Sequence, residues 1–158
     1  MLVVRKLGLP DQPELALGAS AEGGAEVVDR RLARMRRVSR GAIDALRAEA
    51  LEEIERRVRT YRGGAPPPDA TGREVVIVDD GLATGRTAQA AVAAMRQLGA
   101  SRVVLAVPVA SPDSADELGL VADDVVTVLR PRDLQAVGLW YRNFAQTTDA
   151  EVLAALGR

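Results

Sequence analysis

One stretch constrains this chain more than any other: Val75-Val76-Ile77-Val78-Asp79-Asp80-Gly81-Leu82-Ala83-Thr84-Gly85-Arg86-Thr87. Four β-branched residues in a row, without polar alternation, suit a strand inside a parallel sheet. The run ends in two acids, a short loop of glycines and hydroxyls follows, and a helix pattern opens at Thr87 and ends before Gly99. Ligands of α/β sheets bind beyond the carboxyl ends of strands, and loop amides at a helix N-terminus hold phosphate dianions. Two carboxylates do not suit a bare phosphate, but they do suit a sugar diol, whose hydroxyls donate to them. Acid pair and loop together therefore describe a ribose 5-phosphate held at both ends. The Gly-x-x-x-x-Gly-Lys pattern of a P-loop is missing.

The rest of the chain extends the α/β pattern. Val103–Val109 and Val125–Leu129 are further continuous apolar runs, separated by the helix-like Ser114–Val121. Leu2-Val3-Val4 reads as an opening strand, buried on both faces like Val75–Val78. Glu14–Ser20 and Ala25–Asp29 are expected to pair as a hairpin across Glu22-Gly23-Gly24. Ser39 caps a helix that runs to Arg62, with Ile43, Leu46, Ala50, Ile54, Val58 and Tyr61 on one apolar face and Gly63-Gly64 at its end. Pro66-Pro67-Pro68 stiffens the connector that follows. At 158 residues the chain reads as one domain: a flap and hairpin over 8–41, a connector over 63–72 and a core half over 73–158.

Composition removes whole classes of chemistry. Cysteine and histidine are both absent, which excludes disulfides, thiol catalysis, zinc–thiolate sites and histidine acid–base work. The net charge of -1 argues against a global polycation, so nucleic acid is not expected as a partner. Arg30–Arg40 nevertheless holds six arginines and no acid; it reads as a solvated stretch, a field that attracts a phosphorylated substrate, or a nucleic-acid contact. No apolar stretch approaches the ~20 residues of a membrane span, and residues 1–10 lack a basic leader with an apolar run. A cytoplasmic location is the expectation.

The segment Glu74–Thr87 resembles the phosphoribosyl pyrophosphate (PRPP) signature of type I phosphoribosyltransferases. The resemblance extends to Leu2-Val3-Val4-Arg5-Lys6-Leu7-Gly8, similar to that family's strand and Arg-Lys loop near the pyrophosphate. It also takes in Ala136-Val137-Gly138-Leu139-Trp140-Tyr141-Arg142-Asn143-Phe144, which resembles the late loop that holds the base. It implies a three-layer α/β/α fold with a mainly parallel sheet. It implies transfer of the phosphoribosyl group to a nitrogenous, nucleobase-like acceptor with release of pyrophosphate, and Mg²⁺ arriving with PRPP. In the roles it implies, Asp79 and Asp80 bind the ribose hydroxyls as the catalytic pair. Ala83, Thr84, Gly85, Arg86 and Thr87 cradle the 5-phosphate, Arg5 and Lys6 face the pyrophosphate, and Trp140 lines the base pocket.

Ala83 stands where hypoxanthine–guanine enzymes of the family carry an Asp, and adenine enzymes carry Ala. The family places a strand and a first pyrophosphate loop upstream of the Arg-Lys strand, whereas here Met1 directly precedes it. The expectation is therefore an N-terminally truncated fold, impaired turnover, and a slot between Leu2–Val4 and Val75–Val78 that closes up, is filled by a second copy in a homo-oligomer, or stays open in a chain that aggregates or folds only in part, the first two being favoured. Two other readings stay open: a non-catalytic PRPP-sensing regulator with an RNA or protein partner, and an inactive fragment.

Overall fold

The computed structural model describes residues 1–9 and 11–157. Two three-stranded sheets are built, one from each half of the chain. In the first, β1 (Val4–Leu9), β2 (Gln12–Ala21) and β3 (Glu26–Val28) are antiparallel neighbours in chain order. The expected hairpin is present, with Ser20 opposite Glu26 and Gly18 opposite Val28. The opening strand begins two residues later than the Leu2–Val4 reading and continues through Arg5 and Lys6, which pair with Ser20 and Ala19. The Arg-Lys pair therefore sits in a strand, not in a loop after one.

The short α1 (Arg30–Met35) follows, and then the long α2 (Arg40–Arg62). The Ala42 amide donates to Ser39 Oγ at 3.1 Å, and Gly63 ends the helix in a left-handed turn, as the sequence pattern predicts. Ala50, Ile54 and Tyr61 are buried, which places the apolar face against β1 and β2.

The second sheet is parallel, in the order β4 (Glu74–Val78), β5 (Arg102–Val109), β6 (Asp124–Leu129), connected by α3 (Arg86–Gln97) and α4 (Pro112–Leu118). This is the α/β order read from the apolar runs. A last helix, α5 (Asp149–Ala155), packs on α2. No helix among the described residues is long and apolar enough to cross a membrane.

α3 joins the two halves. It packs against all three strands of the antiparallel sheet and against β4 and β5. Five of its twelve residues are alanines, and short side chains on several faces let two sheets approach one helix. Ala94 meets Ala21 and Ala25 on one side, while Val92 and Met95 join Val103 and Ala122 on the other.

Direct closure of the slot and burial of the parallel strands on both faces are not found. β1 and β4 do not close up; they belong to different sheets, and a cleft of about 460 Å³ lies between them, lined by Leu2, Val4, Val75, Ile77, Ala91 and Met95 among others. Nor is the parallel sheet covered on both faces. Val75, Ile77 and Val125 pack into the core, but the alternate residues Val76, Val78, Val126 and Val128 are 56%, 75%, 51% and 80% exposed. The cleft opens to water along this edge.

Candidate functional site

The site is built where β4 runs out. The Asp79 amide reaches the Ala106 carbonyl at 3.4 Å, a last rung of the ladder, and the chain then turns away. Leu82 is buried and anchors the turn: its amide donates to the Val109 carbonyl at 2.9 Å and its carbonyl accepts from the Ser111 amide at 3.0 Å. The Ser114 hydroxyl donates to the Ala83 carbonyl at 2.6 Å, so the next peptide is also tied back to α4. Gly85 enters α3 with φ 67°, and a Cβ there would sit 3.1 Å from Leu118 Cδ1. Backbone conformation and packing both call for glycine.

The consequence is a row of unspent donors. Among the described residues, none of the five amides from Ala83 to Thr87 donates to an acceptor, and neither the Thr84 nor the Thr87 hydroxyl has a partner. They sit in the loop and first turn of α3, where the helix dipole adds partial positive charge. Such a nest of amides binds an anion.

Beside it stand the two acids. Loss of solvation at the strand end pushes the Asp79 carboxyl above the usual carboxylate range; the Asp80 amide, donating at 3.0 Å, opposes this, and the neighbouring Asp80 charge adds to it. Asp80 is pushed up too, again chiefly by desolvation, against amide hydrogen bonds that pull it down. Asp79 and Thr87 line the same cleft between β1 and β4. A diol at the acids and a phosphate at the amides can therefore belong to one molecule.

The late segment closes one side of the loop. Gly81 leaves room for Val137, since a Cβ at position 81 would lie 2.8 Å from Val137 Cγ1. The Tyr141 hydroxyl donates to the Asp80 carbonyl at 2.6 Å. Desolvation and then the charges of Asp80 and Asp79 raise the Tyr141 pKa. Its ring lies 5.1 Å from that of Phe144.

A family model for the phosphoribosyl transferase domain matches residues 25–138, a span that holds both acids and the whole amide loop. The chain belongs to the phosphoribosyl transferase family. It is 47% identical over its full length to a Mycobacterium tuberculosis protein named "Putative phosphoribosyl transferase", of which it covers 36%. It is 42% identical over 59 residues to a uracil phosphoribosyltransferase of Lactobacillus gasseri, a match over 37% of this chain and 28% of that one. Its fold is similar to the crystal structure of TT1426 from Thermus thermophilus, with a TM-score of 0.74 and 40% identity over 98% of this chain and 73% of that one. The chain thus spans about a third of the length of the curated relatives it matches end to end.

Within this phosphoribosyl transferase fold, the residues singled out from sequence do not all meet. Asp79, Asp80 and residues 83–87 follow one another along the end of β4 and the loop into α3, and of these Asp79 and Thr87 line the cleft. The Arg86 side chain points away from it, to Asp29 at 2.8 Å, Gln89 at 3.0 Å and Glu117 at 3.5 Å, and its backbone amide is what it offers the loop. Arg5 lines a different cavity, with Arg56, Arg57, Tyr61 and Thr148, and neither it nor Lys6 lines the Asp79 cleft. Trp140 is 44% exposed and lies next to the loop-binding Tyr141 rather than on the loop. Tyr141 carries the polar contact that the sequence reading did not assign. Its signal was the cluster of aromatics itself, within which residue number alone does not say which ring turns to the acids.

Proposed function

We propose that this chain binds PRPP at the Asp79–Thr87 segment and belongs to an enzyme that transfers the phosphoribosyl group to a nitrogenous acceptor of the nucleobase class. One observation carries the reading: five amides and two hydroxyls without a partner among the described residues stand beside a carboxylate pair, and Asp79 and Thr87 open on one cleft. The likeness to a uracil phosphoribosyltransferase supports the acceptor class.

In this reading Asp79 and Asp80 accept hydrogen bonds from the ribose 2- and 3-hydroxyls and orient the ring. The Ala83–Thr87 amides and the Thr84 and Thr87 hydroxyls hold the 5-phosphate, each charge-assisted bond contributing about 1.5–3 kcal/mol. With the sugar fixed at both ends, its anomeric carbon is held in place for attack, and the acids supply negative charge near a transition state that develops positive charge. Mg²⁺ travels as part of the PRPP substrate and neutralises the leaving pyrophosphate. Among the described residues no cluster of three or more acids forms a metal site of its own.

A second reading is a PRPP-binding regulator with little turnover. It is favoured by the cleft lining, which among the described residues includes no arginine or lysine to meet the pyrophosphate. Ribose 5-phosphate titrated into ¹⁵N-labelled protein tests the shared claim. The Ala83–Thr87 amides are expected to move most, and shifts confined to other residues would overturn the site. Pyrophosphate release then separates the two readings: turnover well below the ordinary about 1–10³ s⁻¹ for this chain favours the regulator or a chain dependent on further residues.

A further inference from the structure

We propose that the pocket enclosed by β3, α1 and the start of α2 is a second anion site, separate from the Asp79 cleft and shaped for a nucleoside di- or triphosphate. The first observation is where the spare charge lies. Of the thirteen described arginines elsewhere in the chain, ten hold a carboxylate, Arg47, Arg56, Arg57, Arg59, Arg62, Arg73, Arg86, Arg96, Arg102 and Arg130, while Arg5, Arg132 and Arg142 stand unpaired and far apart in sequence. Among the described residues Arg30, Arg31, Arg34, Arg36, Arg37 and Arg40 hold none. Six unpaired guanidinium groups are thus gathered in eleven residues of a chain whose net charge is -1.

The second observation is a cavity of about 530 Å³ at that place, within the range of small-molecule sites. Arg30, Arg34 and Arg40 reach it from two helices. Val28, Val38 and Ile43 line it as well, and these same side chains pack on the buried Leu9–Leu17–Ala33 cluster, so that part of the wall is fixed apolar surface. Arg47 also lines it, but its guanidinium is spent on Glu26 at 2.6 and 2.7 Å and on Asp44 at 2.6 Å. Glu26 is the one acid in the lining and is neutralised by that pair. Three unspent cations therefore face the cavity with no unspent anion. The turn that brings α2 back to α1 passes through Arg37 at φ 53°, the single non-glycine residue in left-handed backbone among the described residues. Strain of that kind persists where the surroundings hold it, and here it lets Arg34 and Arg40 face one space.

The chemistry selects the ligand. Arginine forks match phosphate oxygens in pairs, and three of them suit a chain of two or three phosphates. The apolar wall suits a nucleoside and is wasted on inorganic polyphosphate. Among the described residues no aromatic side chain lines the cavity, so the stacking platform that holds single-stranded nucleic acid is missing there. The pocket is also linked to the amide loop. Asp29, one residue before Arg30, caps α1 through the Leu32 amide at 2.8 Å and binds Arg86 at 2.8 Å.

Calorimetry with ATP, GTP and tripolyphosphate at low salt, without Mg²⁺, tests the site. ATP or GTP is expected to bind one-to-one. The exposed, unpaired triple variant R30A/R34A/R40A, its fold checked by circular dichroism, is expected to bind at least about tenfold more weakly. T84A/T87A, which damages the amide loop, is expected to bind as wild type does, so the result stands whether or not the loop takes PRPP. No binding of either nucleotide, or equal binding by the triple arginine variant, overturns the site. Tripolyphosphate binding as tightly as ATP overturns the nucleoside part, and an RNA oligomer binding more tightly than ATP through the same arginines replaces it with a nucleic-acid surface.

Discussion

Asp79 carries opposite consequences for folding and for binding. Desolvation holds its pKa above the ordinary Asp value, so the folded chain binds the proton more tightly than the unfolded chain does. Once ionised, the residue therefore costs stability, and the cost is present above the raised pKa and vanishes as pH falls below the unfolded value of about 3.9. Asp79→Asn is expected to raise Tm at pH 7 and to have no effect on Tm at pH 3. A Tm that falls at pH 7 would contradict the burial argument. In the proposed function the ionised acid accepts from the ribose hydroxyls, so wild-type affinity for PRPP is expected to drop as pH falls through that raised pKa. Tyr141 acts on the same peptide from the other side. Tyr141→Phe keeps the ring against Phe144 but loses the bond to the Asp80 carbonyl, costing about 0.5–1.5 kcal/mol in urea unfolding. An unchanged midpoint would show that water replaces the hydroxyl without loss.

At the scale of elements, the C-terminal end of α2 is also held by contacts that no local pattern announces. Glu22 and Arg62 form an ion pair with side chains only 6% and 9% exposed, Glu22 also accepts from the Val3 amide at 2.8 Å, and Arg62 donates to the Met1 carbonyl at 2.8 Å. Removing one partner of a buried pair leaves the other charge uncompensated, so Glu22→Ala is expected to cost about 3–5 kcal/mol in chemical denaturation. A loss below about 1 kcal/mol would show that Arg62 escapes to water, as exposed pairs of that worth do. In sequence, Glu22 precedes two glycines and looks like a turn residue; its partner is forty residues away. The strands and helices that were legible, Val75–Val78, Arg86–Gln97 and Arg40–Arg62, announce themselves by runs, spacing and caps. α1 was not legible, because six arginine-rich residues hold too few apolar positions to show a period. α5 left a usable signal that went unread, the Thr148–Glu151 capping box. Arg5 and Lys6 were legible as a basic pair after apolar residues, but β-sheet register, a long-range property, decides that they extend the strand.

On the scale of the whole molecule, α3 is the only helix that packs on strands of both sheets among the contacts described, so the amide loop and the fold share one element. The exposed Val76, Val78, Val126 and Val128 make an apolar face beside the open edge of β4. Surfaces of this kind promote association. Light scattering is expected to show concentration-dependent self-association that V78K/V128K reduces, and a wild-type chain monomeric at every concentration would show that the face is adequately hydrated.

The central claim is that the acid pair and the amide loop bind one molecule at two ends. Calorimetry of PRPP with Mg²⁺ tests it most directly, comparing wild type with Asp79→Asn/Asp80→Asn. Wild type is expected to bind one-to-one, and the double variant, still folded, to lose the bonds of both carboxylates and with them at least about tenfold in affinity. Equal affinity in the two proteins would contradict the account.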